Sequence, residues 1–280
     1  MSTPVPPLLQ TIPNPPKQLF TTGVEIGKIL SYPRIAIVGS RKVSTYGKQV
    51  TKQLAYELAK QGIVIISGLA YGVDMIAHTA ALDAGGLTVA VLPTGLDKIY
   101  PAAHRQLATR IQAHGMLVTE YPNGTKSFKG NFIARNRLVS GLSDAVLITE
   151  AAENSGTLHT ARFAIEQGKK LLAVPGNITS PTSAGTNQLI KTGAIVVTCA
   201  NDVLNALGIT TTPQKKTKPT STDPHEQTIL DLLFDGVTDG NTLLQASGLS
   251  LQAFHHAMTM LEISGTIQPL GNDQWKLHEY

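Results

Sequence analysis

The sequence predicts an α/β protein: a Rossmann-like, doubly wound, mostly parallel sheet over residues 34–208, with a small C-terminal winged-helix domain over 224–280. Three observations carry this reading. Short β-branched runs alternate with helical segments. The runs are apolar throughout, as strands covered on both faces require. Glycines and small hydroxyls crowd the positions directly after the strands, where an open α/β sheet binds its ligands.

In chain order, residues 1–33 come first. Prolines crowded into its first half (Pro4, Pro6, Pro7, Pro13, Pro15, Pro16) make this stretch an extended arm or small lead-in. Strands are expected at Ile35–Val38, Ile63–Ile66, Thr88–Leu92, Met116–Val118, Ala145–Thr149, Leu171–Val174 and Ile195–Thr198. Helices between them include Gly47–Gln61, Val73–Ala84, Ala102–Ala113 and Gly156–Gln167. Residues 209–223 are polar and aperiodic, a flexible linker. Three helices follow, Pro224–Phe234, Asn241–Ala246 and Leu251–Ser264. A hairpin then turns at Gly271-Asn272-Asp273, completing the winged-helix layout.

Composition narrows the classes. Apolar residues make up 42% and charged residues 15%, enough apolar content for a sizeable core. One cysteine, Cys199, excludes an internal disulfide framework and a cysteine-rich zinc site. No secretory signal is seen, and no run approaches the roughly 18 apolar residues of a membrane span. A cytoplasmic protein without a membrane partner is expected by default. Charge is divided unevenly. Residues 1–222 hold 22 Lys and Arg against 11 Asp and Glu, whereas residues 223–280 hold one basic residue, Lys276, against eight acidic ones. The body is thus suited to a polyanion and the tail is not.

A glycine after a strand lets backbone approach a phosphate, and the helix that follows offers free N–H groups. Gly39-Ser40-Arg41 adds a hydroxyl and a guanidinium. Ser67-Gly68 with Tyr71-Gly72, and Ser155-Gly156-Thr157, repeat the arrangement. Each alone reads as plainly as a tight turn with a helix cap; together they favour a phosphate-binding edge. The dinucleotide fingerprint is missing, since only Gly39 stands after the first strand and no acid ends the second. The P-loop spacing is missing too. No cofactor is therefore implied.

The most informative stretch is Lys129-Gly-Asn-Phe132-Ile-Ala-Arg135-Asn136-Arg137. An aromatic ring stacks on any base, and flanking cations hold phosphates. The plainer reading puts Phe132 in the core and pairs at least one of Arg135 and Arg137 with a carboxylate such as Glu150. For Asp74 and His78, capping and a satisfied buried contact are preferred to a catalytic role. No nucleophile–base pair or metal-ligand spacing stands out.

Taken in order, these motifs resemble the DNA processing protein A (DprA/Smf) family. The resemblance rests on Ile35-Ala-Ile-Val-Gly-Ser-Arg41, Ile66-Ser-Gly-Leu-Ala-Tyr-Gly-Val-Asp74, Val91-Leu-Pro-Thr-Gly-Leu-Asp97 and Tyr100-Pro101. It continues through Phe132-Ile-Ala-Arg-Asn-Arg137, Ser155-Gly-Thr-Leu-His-Thr-Ala161, Val174-Pro-Gly176 and Gly185-Thr-Asn-Gln-Leu-Ile190. It implies a homodimer that binds single-stranded DNA without cutting it and loads RecA recombinase in natural transformation and recombination. The family's pocket maps onto Ser40-Arg41, the Gly68–Gly72 loop, Lys129, Phe132 and Arg135-Asn136-Arg137. Where the family usually has arginine, this chain has Tyr71, so weaker or less salt-dependent binding is expected. The acidic winged helix reads as a protein-contact or self-masking module. An alternative is a phosphoribohydrolase-like enzyme or nucleotide sensor. Against it, Asn154-Ser-Gly-Thr-Leu-His-Thr160 lacks the double glycine and the glutamate of that group's P-G-G-x-G-T-x-x-E motif.

Overall fold

A computed structural model describes residues 2–209 and 218–277. The linker expected over 209–223 lies largely on 210–217, outside the described residues. The chain divides into two compact units, Met1–Thr211 and Thr212–Tyr280.

Among the described residues, the first unit is built on one nine-stranded sheet. In chain order its elements are β1 (Ser2–Thr3), α1 (Pro7–Gln10), β2 (Leu19–Gly23), α2 (Ile26–Leu30), β3 (Arg34–Val38), α3 (Thr45–Lys60), β4 (Val64–Ser67), α4 (Val73–Asp83) and β5 (Thr88–Val91). They continue with α5 (Arg105–His114), β6 (Met116–Thr119), α6 (Lys129–Gly141), β7 (Ala145–Ile148), α7 (Thr157–Glu166), β8 (Lys170–Ala173), α8 (Ala184–Lys191), β9 (Ile195–Val196) and α9 (Ala200–Ala206). The spatial order is β1-β2-β6-β5-β4-β3-β7-β8-β9. From β6 to β9 all neighbours are parallel, while β2 runs antiparallel to β6 and β1 antiparallel to β2.

The central strands β3 to β7 are mostly apolar because both faces are covered. Ile35, Ile37, Ile65 and Leu147 enter one core with Leu54 and Leu58 of α3, Ala77 of α4 and Val203 of α9. Ala36, Val38, Ile66, Val91 and Ile148 enter the other, with Leu138 of α6 and Ala161 of α7. Alternate residues of one strand thus feed opposite cores, as strand geometry demands.

The lead-in expected over 1–33 is not an arm. Leu9, Ile12, Leu19 and Ile29 are buried in the second core, and β2 extends the sheet through its pairing with β6. Prolines shape its turns, but none falls in Leu19–Gly23, whose N–H groups stay free to donate, so the strand forms after Pro16. Residues in this stretch accordingly share one core and one sheet with those after Arg34.

The second unit comprises α10 (Pro224–Phe234), α11 (Gly240–Ser247), α12 (Leu251–Ile263) and the antiparallel pair β10 (Ile267–Gly271) and β11 (Gln274–Leu277). Side chains of Asp223, Asp239 and Ser250 cap the three helices. Ile229, Leu243, Phe254, Leu261 and Ile267 are buried together. Asn272 and Asp273 both have positive φ, the conformation a two-residue hairpin turn requires. The winged-helix expectation holds.

Candidate nucleic-acid interface

The sheet is wound outward in both directions from β3, so the loops after β3, β4, β5 and β7 converge at the carboxyl edge. Gly39 lies where three of them meet. A β-carbon there would stand 2.6 Å from Val73 and 2.9 Å from the Glu150 carbonyl. Ser40 N–H donates to that same carbonyl at 2.8 Å, and Val73 N–H donates to Ser40 O at 3.2 Å. Gly72 has φ 76°, and a β-carbon there would come within 2.2 Å of Ser40 O. Both glycines therefore serve close packing of one loop on another. Arg41, projecting from this junction, is exposed.

Its guanidinium carbon lies 5.5 Å from the centre of the half-buried Phe132 ring. Tyr100 meets the same ring edge-on at 5.1 Å. Tyr71, 49% exposed, packs edge-on against His104 at 4.9 Å. Arg41, Tyr71, Tyr100 and Phe132 line a small open pocket together with Gly68 and Arg135. Lys129 is exposed at the first position of α6, one turn before Phe132. Aromatic rings with cations at their margin suit unpaired bases and their phosphates.

Arg135 differs from the expectation of a surface cation. It is 3% exposed. Its Nη1 donates to Gly68 O at 2.5 Å and to Val91 O, and its Nε donates to Asn136 Oδ1 at 3.1 Å. Gly68 is glycine because a β-carbon would stand 2.2 Å from that guanidinium. Burial lowers the arginine to about 10, and the nearby charge of Asp74 opposes this. Asp74 is itself buried and accepts from Gly68 N–H at 3.1 Å and Ala70 N–H at 3.2 Å; it does not cap α4, the role its sequence suggested, but holds the loop before it. Arg135 is the floor of the pocket, tying the ends of β4 and β5 to α6. Between them Leu69 takes φ 60°, a conformation costing a branched residue about 1–2 kcal/mol. Its side chain is fully buried and its carbonyl is held by His104 Nδ1 at 2.9 Å.

Arg137 also turns inward. It forms a two-pronged pair with Glu120, both contacts 2.7 Å, and its Nε donates to Asn14 O at 2.8 Å. The carboxylate partner is thus Glu120 and not Glu150, because Glu150 accepts instead from the Ser44 backbone and hydroxyl. Asn136 stays half-buried beside Arg135. Ser67 is wholly buried and donates to Ile37 O at 2.7 Å, so its hydroxyl does not reach the surface. Thr157 donates to Gly39 O at 2.9 Å, and Ser155 donates to Thr157 Oγ1 at 3.0 Å. With Gly156 they tie the start of α7 to the loop after β3, apart from the Phe132 pocket. Tyr100 and His104 join the site without having been singled out for it. A Tyr-Pro pair and a histidine spaced from the glycine loops give no sign that they fold back over them. Among the described residues, no three or more His, Cys, Asp or Glu side chains gather as a metal site would require. No described helix is long and apolar enough to cross a membrane.

His78 lies beneath the site, fully buried. Its Nδ1 is 2.7 Å from Thr88 Oγ1, whose proton goes to Ile65 O. Nδ1 is therefore the donor, and Nε2 has no hydrogen-bond partner among the described residues. Only half of the expected satisfaction is met. Burial, with Arg135 and His104 adding to it, lowers His78 from 6.5 to about 3. The unfolded chain then takes up a proton near pH 6.5 that the folded chain refuses until about pH 3. Stability is lost as pH falls through that window, by roughly 2 kcal/mol at pH 5. Asp74, raised by burial, works the other way. His78→Asn keeps a donor for Thr88 and removes the histidine titration. Urea midpoints at pH 5 and 7 should therefore converge in the variant relative to the parent; an unaltered difference contradicts the assignment.

The model of the DNA recombination-mediator protein A family matches residues 2–208. The chain belongs to the DprA/Smf family. A second model, the DprA winged helix domain, matches residues 212–272. DNA processing protein DprA of Bacillus subtilis is 40% identical over 199 residues, covering 71% of this chain and 67% of that protein. Protein Smf of Escherichia coli is 44% identical over 203 residues, covering 72% and 54%. The chain thus spans about half to two thirds of these DprA/Smf relatives. Among solved structures, DprA of Streptococcus pneumoniae aligns with TM-score 0.70 and 38% identity over 73% of each chain. DprA of Helicobacter pylori, studied for its single-stranded DNA binding mode, aligns with TM-score 0.67 and 38% identity, covering 73% of this chain and 93% of that one.

Proposed function

We propose that the first unit binds single-stranded DNA across the Arg41–Phe132 surface. On this reading the chain is a non-enzymatic mediator, acting as a homodimer to load RecA recombinase onto DNA in transformation and recombination. The carrying observation is the exposed Arg41 guanidinium set over Phe132, with Tyr100, Tyr71 and Lys129 around it. Bases stack on the rings, while Arg41 and Lys129 take phosphates. Ser40, Gly39 and Gly72 shape the loop, and Gly68 and Arg135 form its floor. Ser67, Asn136, Arg137 and the Ser155–Thr157 turn support it from within. Membership of the family favours the RecA and dimer roles. The strand-binding reported for the H. pylori relative favours the ligand.

The second unit supports this division. On α12, Leu251, Met260 and Ile263 are exposed, and the helix carries no lysine or arginine. Phosphates gain nothing from such a face, whereas a protein partner does.

Mobility of labelled oligonucleotides tests the proposal. Single strands should bind increasingly with length and duplexes weakly; release of free base from a nucleoside monophosphate would overturn it. A chain of residues 1–210 should keep the affinity, and a large loss would move the site elsewhere. Tyr71→Arg adds a phosphate contact, so the slope of log affinity against log salt should steepen by about 0.7. An unchanged slope means that residue 71 does not face the strand.

A further inference from the structure

The loop after β3 has a second side. There a groove of about 450 Å³ opens between the start of α3, with Ser44 and Tyr46, and the loop after β8, with Pro175, Asn177, Ser180 and Thr182. It shares no lining residue with the Phe132 pocket. It lies on the other side of the point where the strand order reverses, since β7 and β8 flank β3 opposite β4. Crevices at such points are where open α/β sheets take ligands, and this volume falls in the range of small-ligand sites.

The lining is neutral. None of the described residues along it carries a charge. The one carboxylate beneath it, Glu150, is buried and accepts from both the Ser44 backbone and the Ser44 hydroxyl. A phosphate finds no cation here. A nucleobase finds a ring and a mixed set of polar groups. Tyr46 is 47% exposed, yet its hydroxyl donates to Pro175 O at 2.8 Å, which holds the ring across the groove. Asn177 Oδ1 accepts from Thr179 N–H at 2.9 Å and Thr179 Oγ1 at 2.8 Å, so its Nδ2 is left as a donor with no partner among the described residues. Ser180 and Thr182 hydroxyls, 2.9 Å apart, add groups that donate or accept. Two residues separate Arg41 from Ser44, a reach of at most roughly 10 Å. A strand held at Arg41 is therefore within reach of this opening.

We propose that the groove is a second base site for the same strand, taking one unpaired nucleobase stacked on Tyr46 and bonded to Asn177 and the Ser180/Thr182 hydroxyls. This rests on the single-strand reading above. It deepens that reading by giving the strand a direction across the loop of residues 39–44, from the charged aromatic pocket to a neutral one.

The test is fluorescence anisotropy of a ladder of oligothymidylates on the full chain. Tyr46→Ala should leave the shortest bound oligomer unaffected and weaken longer ones roughly 5- to 150-fold, the worth of one stacked base. Tyr46→Phe keeps the ring and loses only the bond to Pro175 O, so it should stay near the parent. Ser180→Trp fills the groove from an independent residue and should reproduce Tyr46→Ala. Affinities equal to the parent at every length in Tyr46→Ala and Ser180→Trp overturn the groove assignment alone. A Tyr46→Phe loss as large as that of alanine also overturns it, because the ring would then act only through its hydroxyl. Absence of binding by the parent chain at any length overturns the single-strand reading instead.

Discussion

Arg135→Ala lowers the free energy of unfolding by roughly 3–5 kcal/mol, the usual cost of removing one partner from a buried charge network. The guanidinium holds two backbone carbonyls, Gly68 O and Val91 O, at the floor of the pocket. It also supplies the positive charge facing buried Asp74, which in turn holds Gly68 N–H and Ala70 N–H. Removal leaves unpaired acceptors and an uncompensated carboxylate in one place. Arg135→Lys restores the charge but cannot reproduce the fork, so it recovers only part of the loss. Gly68→Ala should be comparably harmful, since its β-carbon would press on a guanidinium fixed at several points. Urea unfolding measures all three. A change below about 1 kcal/mol in Arg135→Ala would show that the network contributes little.

Phe132→Ala weakens single-strand binding by roughly 5- to 150-fold with an unchanged salt slope, because stacking releases no counterions. Arg41→Ala weakens it too, and the slope falls by about 0.7. The pair of measurements separates the two halves of the site. The residues touch each other, so the double variant should lose less than the sum of the single losses. A Phe132→Ala variant that flattens the slope would mean that the ring works mainly by placing Arg41. Circular dichroism checks that each variant remains folded.

The central parallel strands β3 to β7 were legible because buried strands leave nearly uninterrupted apolar runs. The winged-helix elements were legible from their caps and turn residues. β2 was not. Leu19–Gly23 follows a proline-rich stretch, and its reason to be a strand lies in Met116–Thr119, far along the chain. The site shows the same limit. The residue types of the Lys129–Arg137 segment were readable, but their directions were not. Arg135 and Arg137 turn inward because Asp74 and Glu120 arrive from other segments to compensate them. Lys129 and Phe132, one turn earlier, keep the surface. Tyr46 was hidden for a similar reason, since the loop that makes its ring a wall lies beyond β8.

The antiparallel edge has a consequence for synthesis. Phe20 finds its partner only when Thr119 has been made. At cellular rates of about 5–20 residues per second, the segment waits on the order of 5–20 s with Leu9, Ile12, Leu19 and Ile29 uncovered. The nascent chain therefore passes through a period in which this segment is made but unprotected. Slowing translation between residues 23 and 116 should lengthen its susceptibility to proteases, while the same pause placed after residue 208 should not.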